Sequence, residues 1–188
     1  MLYFVLTGVQ YWMTLYWIEV LNFEESLTFI TFGIVSITGP VLGVIVGGSI
    51  TTMLGGYKSK SSYKLTVLCA SACKLCAFPL PYVSGYWPNV CLLWLLLFFG
   101  GAILPSMTGI MLSTVTMGQK TTANSVANLF YNVGGFMPGP FVYGAIDDAY
   151  GGGKTAMKFL MSTPCFCIGA LYCATYFILR DDVLGFKS

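Results

Sequence analysis

Three asparagines stand four residues apart in "NSVANLFYNVGGFMPGPFVYGAIDD", residues 124–148. Asn124, Asn128 and Asn132 fall on one helical face by the i, i+4 rule. Their surroundings are apolar enough for lipid, where an amide facing hydrocarbon is costly and is expected to face protein or a wet cavity. Amides neither take nor give protons at ordinary pH, so the chemistry open to them is the solvation of a polar solute or a bond to a neighbouring helix. If the helix begins near Thr121, Asn132 lies about 16 Å along it, close to the bilayer midplane. Both readings stand for Asn132, whereas Asn124, near the helix end, reads as structural. A second polar stripe, Tyr3, Gln10, Thr14 and Trp17, shares a face of the first apolar stretch. Gln10 and Thr14 are its deep members; Trp17 also fits an interfacial anchor. The candidate solute-lining residues are therefore Gln10, Thr14, Trp17, Asn128 and Asn132.

Acid–base chemistry is poorly served. The chain has no histidine. Asp147 and Asp148 are adjacent at a helix end and do not form a buried pair, so no intramembrane hydrolase is expected. Lys74 is the one charge deep in a span, about 15 Å past Lys64. Contact with a solute, snorkelling and a bond to a carbonyl all remain open for it. The seven cysteines lie in apolar stretches. Cys69, Cys73 and Cys76 share a face, but without histidine a metal centre is not expected. No cofactor is implied.

These residues have to be positioned by membrane helices. Of 188 residues, 56% are hydrophobic and 9% charged, with mean hydropathy +0.78. A soluble domain carries about a quarter charged residues. Six stretches reach the roughly 20 apolar residues that a span needs: about 2–21, 27–54, 65–83, 90–115, 121–146 and 158–179. The expected fold is an all-α polytopic membrane protein of six transmembrane helices, as a single unit over 1–188. On one side the connections and tail hold Lys58, Lys60, Lys64, Lys120, Arg180 and Lys187. The other side holds Lys154 and Lys158 beside Glu24, Glu25, Asp147 and Asp148. The positive-inside rule then places both termini in the cytoplasm or its organellar equivalent. No basic–aromatic run suggests a nucleic-acid partner.

Breakers and small residues punctuate the spans. Gly39, Gly43 and Gly47 recur every four residues, a stripe that allows close helix approach. Pro105 favours a kink in the fourth span. Gly134, Gly135, Pro138 and Pro140 weaken the fifth. Pro138 and Pro140 lack the amide hydrogens that would bond the carbonyls of Gly134 and Phe136, and such freed carbonyls are tolerated beside protein or water.

Six spans with cytoplasmic termini resemble the C-terminal half of a major facilitator superfamily transporter. "GGSITTMLGGYKSK" resembles that family's second cytoplasmic loop motif, with Gly48, Gly55, Gly56 and Lys58 in place. Thr52 and Met53 depart from it where an acidic and a basic residue are usual. "QKTTANSVANLFYNVGGFMPGPFVYGAIDD" resembles the eleventh helix of Spinster-like and organic-anion-type members through Lys120, Ala123, Gly134, Gly135, Pro138, Pro140, Gly144 and Asp147. The resemblance implies alternating access by two six-helix halves rocking about a central site. It puts the first and fourth spans along the cavity, with the second and fifth against the other half. It also implies partners: the lipid bilayer, a small organic or lipid-like solute, and a missing N-terminal half, a second copy or a larger membrane complex. A non-transporting structural subunit derived from a transporter half is the alternative.

Overall fold

The computed structural model describes residues 2–57, 59–163, 165, 168–173, 175 and 176. It is helical throughout, with no strand among the described residues. α1 covers Leu2–Leu15 and passes into a π-helical turn, Tyr16–Val20. α2 covers Glu25–Met53, α3 Lys60–Ala77 and α4 Tyr86–Ser113. α5 covers Lys120–Tyr131, followed by a second π turn, Asn132–Phe136, and α6, Pro138–Tyr150. α7 covers Gly153–Ser162. Beyond it, residues 165, 168–173, 175 and 176 are also helical.

Among the described residues, three helical stretches are long and apolar enough to cross a membrane: Glu25–Met53, Ser61–Tyr82 and Tyr86–Ser113. The expected first and fifth spans are helical but interrupted by π turns. The far end of the expected sixth span, 177–179, lies outside the described residues, as does Lys58.

Several helices begin earlier than their apolar runs. α3 starts inside the polar "KSKSSYK" because Ser59 caps it, its hydroxyl accepting from the Ser61 amide at 3.3 Å. Such a cap satisfies one of the amides left over at a helix start. α4 starts inside "SGYWPN", where Pro88 falls in the first turn and loses no helical bond. α6 runs on to Tyr150 and is ended by Gly151 at φ 62°, a left-handed C-cap.

The packing is governed by two parallel pairs. α2 and α4 run side by side in the same direction. Their contacts climb together: Tyr86 to Thr31, Trp94 to Thr38, Gly43 to Phe98, Gly47 to Ala102 and Ser106 to Thr51. Gly39, Gly43 and Gly47 form the buried edge of α2. A Cβ on Gly43 would run into the Phe98 carbonyl oxygen, and one on Gly47 into that of Ala102. In return a Cβ on Gly101 would lie 2.6 Å from the Pro40 carbonyl oxygen. Backbones this close leave no room for a side chain at those positions. Pro105 sits lower on the same seam, with Gly48 beside its ring.

α1 pairs in the same way with α5–α6. A Cβ on Gly135 would lie 2.8 Å from Tyr3 Cβ, and one on Gly139 2.5 Å from the Phe4 carbonyl oxygen. One turn on, Gly144 faces Trp12. The other helices run against these pairs. α3 folds back on α4, with Cys73 Sγ donating to the Leu96 carbonyl at 3.6 Å. α7 runs against α1, Gly153 beside Val20 and Leu160 beside Gly8. The core joins both groups through Val9, Met13, Trp17, Leu80, Leu93 and Leu160.

Candidate functional site

The fifth span breaks for a reason that lies in its own residues. In a continuous α-helix the carbonyls of Gly134 and Phe136 would find no donor at Pro138 and Pro140. The helix widens by one residue instead. The Met137 amide donates to the Asn132 carbonyl at 3.0 Å, an i, i+5 bond. Such π turns are uncommon and often mark functional segments. Gly134 lies inside the turn with nothing within 4 Å of the place its Cβ would take. One face of the break is pinned to α1 by Gly135 and Gly139; the other is open.

On that open side stand the amides. Asn124, Asn128 and Asn132 are all exposed. Asn132 Nδ2 donates to the Asn128 carbonyl at 2.7 Å, which leaves its Oδ1 facing outward as an acceptor. Beyond the break, an open groove of about 570 Å³ lies between Tyr11 and Trp12 of α1 and Met137, Pro140 and Phe141; none of the three asparagines lines it. Trp12 holds the groove's wall: its indole nitrogen donates to the Pro140 carbonyl at 2.9 Å, and its ring stacks on Tyr143 at 4.9 Å.

α1 presents its stripe unevenly. Gln10 is exposed, Thr14 half-buried and Trp17 fully buried. Trp17 Nε1 donates to Asn89 Oδ1 at 3.1 Å, within a cage of Phe23, Phe32 and Tyr86. Asn89 in turn donates to the carbonyls of Leu80 and Val83. Trp17 is thus the hub joining α1 to the start of α4. The parallel pairing sets the levels of the two stripes. Gly135 lies beside Tyr3 and Gly144 beside Trp12, so Asn132 lies near the start of α1. Gln10 lies about ten residues further on, roughly 15 Å along the axis. Asn128 and Asn132 form one polar face, and Gln10 with Thr14 another; this conformation does not join them.

No family model, curated protein or solved structure matches the chain.

Lys74 ends on backbone. Its Nζ donates to the carbonyls of Met161 at 3.1 Å and Ser162 at 3.4 Å, closing the last turn of α7. A cation at a helix C-terminus is favoured by the partial negative charge there. Cys69 and Cys73 are buried, and Cys76 is half-buried. Asn89 and Trp12 carry roles that the linear pattern does not suggest. Asn89 sits in what reads as a loop. Its one signal is position, an amide directly before an apolar run and level with an outer-end tryptophan.

Proposed function

We propose that the chain is one six-helix half of a secondary transporter or facilitator of the major facilitator type, moving a small organic solute by alternating access. The observation that carries the reading is the fifth span, broken at mid-length by a π turn, with Asn128 and Asn132 on its open face. Discontinuous helices whose freed backbone and polar side chains line a cavity are the usual substrate devices of such transporters. Exposed amides on an otherwise apolar helix call for water, solute or a protein partner, because lipid cannot satisfy them.

The packing pattern supports the same reading. The second of the first three spans packs in parallel on the fourth through glycines, and the second of the last three packs in parallel on the first through glycines. The third runs against the fourth as the sixth runs against the first. This is the relation expected of an inverted three-helix repeat. Under this reading all six spans cross the bilayer with termini cytoplasmic. The open faces of α2 and α5–α6 meet an N-terminal half, a second copy or a larger complex. Gln10, Thr14, Asn128 and Asn132 all belong to this half, so they come together around the solute only if the fifth span bends at its π turn.

One observation favours the second reading, a non-transporting structural subunit. The two polar faces stand apart, and Trp17 is locked in a buried hub. Flux separates the readings. The protein, with the partner that co-purifies with it, is placed in proteoliposomes and tested with carboxyfluorescein and a fluorescent short-chain lysolipid. Transport predicts flux that Asn132→Leu reduces by about tenfold without lowering the unfolding temperature. A structural subunit gives no flux with either probe, and the substitution then alters partner assembly alone.

A further inference from the structure

A slot lined chiefly by α3 and α4, and closed by residues of α1, α2, α5 and the sixth span, includes none of Gln10, Thr14, Trp17, Asn128 and Asn132. Its volume is about 210 Å³. Along α4 its lining runs from Leu96 to Thr108 at helical spacing, about 18 Å at 1.5 Å per residue. Ala70, Cys73 and Ala77 of α3 and Gly100 of α4 keep it open by being small. At Gly100 a Cβ would meet nothing within 4 Å. Its surface is almost wholly apolar, and an apolar cavity of roughly 150 Å³ already stays dry and takes apolar guests.

Three features narrow the guest. A lining about 18 Å long on α4, kept open by small side chains along its length, fits a single unbranched chain. The slot has its mouth at Met107, which lines it and is 38% exposed. In a bundle of membrane-crossing helices, that mouth meets acyl chains. The polar lining gathers at one end, where Tyr3, Tyr131 and Thr108 bring hydroxyls. The Tyr131 hydroxyl meets the Met111 sulfur at 3.9 Å, a weak acceptor that leaves it able to donate to an ester.

We propose that this slot holds one acyl chain of a bilayer phospholipid, with the ester end at Tyr3, Tyr131 and Thr108. The guest fills space that the small residues leave, and contributes dispersion contacts that a void would forfeit. The site is separate from the amide face and does not depend on the transport reading.

The test is photolabelling in vesicles of phosphatidylcholine that carries a mid-chain diazirine on one palmitoyl chain. Labelled residues are read by tandem mass spectrometry. The expected wild-type map is concentrated on α3 near Cys73 and on α4 between Gly100 and Met107. Gly100→Leu, which places its side chain in the slot, reduces that labelling at least tenfold. Gly33→Leu, whose side chain also has room but lies outside the slot, leaves the labelling unchanged. The proposal is overturned by a wild-type map confined to outward residues such as Ile34, Ile37 and Val41, or by slot labelling that Gly100→Leu does not change. The wild-type map decides the question even if a variant fails to fold.

Discussion

Along α2 and α4 two unbroken helices of 29 and 28 residues lie backbone against backbone. The contact continues from the glycines into a hydroxyl pair, Thr51 and Ser106, 2.7 Å apart and buried. Along α1 and its partner the same device, a glycine edge on a parallel neighbour, is cut short. The partner is divided into α5, a π turn and α6, and its far face carries open amides. One pair is sealed along its length; the other is pinned at Gly135, Gly139 and Gly144 and interrupted by a π turn between α5 and α6. Glycine therefore serves two ends in one chain. Where a backbone lies opposite, its missing side chain brings helices together. Where nothing lies opposite, as at Gly134, it loosens one.

The largest expected effect breaks the sealed pair. Gly43→Leu forces a branched side chain into the Phe98 backbone, which cannot yield as a side-chain tip can. A loss of about 3 kcal/mol or more follows, at the upper end of overpacking. Gly33→Ala on the same helix, with nothing within 4 Å of its Cβ, leaves stability unchanged or slightly raised. Thermal unfolding in detergent, followed by exposure of the buried Cys69 and Cys73 thiols to a maleimide dye, compares the two. Equal melting curves would end the argument for backbone contact.

Next comes the joint between the two pairs. Asn89→Leu leaves the Trp17 N–H and the carbonyls of Leu80 and Val83 without partners. The expected cost is about 1–3 kcal/mol, the penalty for stranding buried polar groups. Trp17→Phe removes that donor, strands the Asn89 Oδ1 and leaves space among Phe23, Phe32 and Tyr86, so it also lowers stability. The same dye assay reads both, and a melting curve unchanged by Asn89→Leu would remove Asn89 from the joint.

A smaller effect sharpens how the sealed pair is locked. Thr51→Val and Ser106→Ala, made singly and together, report the coupling of the two hydroxyls. Interhelical hydrogen bonds in membranes average about 0.6 kcal/mol, with a maximum near 1.7. A coupling near 0.6 is expected, since Thr51 also donates to the Gly47 carbonyl at 2.7 Å and keeps that bond in the single variant at Ser106. A coupling of zero would leave the glycines alone holding the lower end.

How much of this was legible from composition and spacing differs between the two regions for a physical reason. The four-residue recurrence of Gly39, Gly43 and Gly47 is a property of one helix, so its shared face can be read along the chain. What the face meets cannot, because Phe98 and Ala102 contribute through their backbone and any residue type would serve. The break in the fifth span was legible for the same local reason: a proline removes a hydrogen bond wherever it stands. That the break would take the form of a π turn depends on α1 holding Gly135 and Gly139 in place, which is a tertiary matter. Trp17 shows the limit. Its stripe with Gln10 and Thr14 follows from spacing alone, whereas its burial rests on Asn89, 72 positions away. Helix starts slipped at "KSKSSYK" and "SGYWPN" because apolarity locates the lipid-facing run, whereas Ser59 and Pro88 extend the helix past it.

The smallest change in stability carries the sharpest contrast. Gly134→Ala adds one methyl group where nothing lies within 4 Å. In an ordinary helix interior the exchange favours the folded form by about 0.5–1 kcal/mol, so the unfolding temperature holds or rises slightly. The same methyl raises the barrier to bending, since alanine narrows the backbone states open to the π turn. If bending of this span accompanies transport, flux in proteoliposomes falls several-fold while stability does not. At the neighbouring Gly135 the same substitution meets Tyr3 Cβ at 2.8 Å and lowers stability instead. Two adjacent glycines thus give opposite signs in the melting assay. A Gly134→Ala protein with wild-type flux would mean that the break is as static as the sealed pair, and that the open amides serve a fixed partner and not a moving helix.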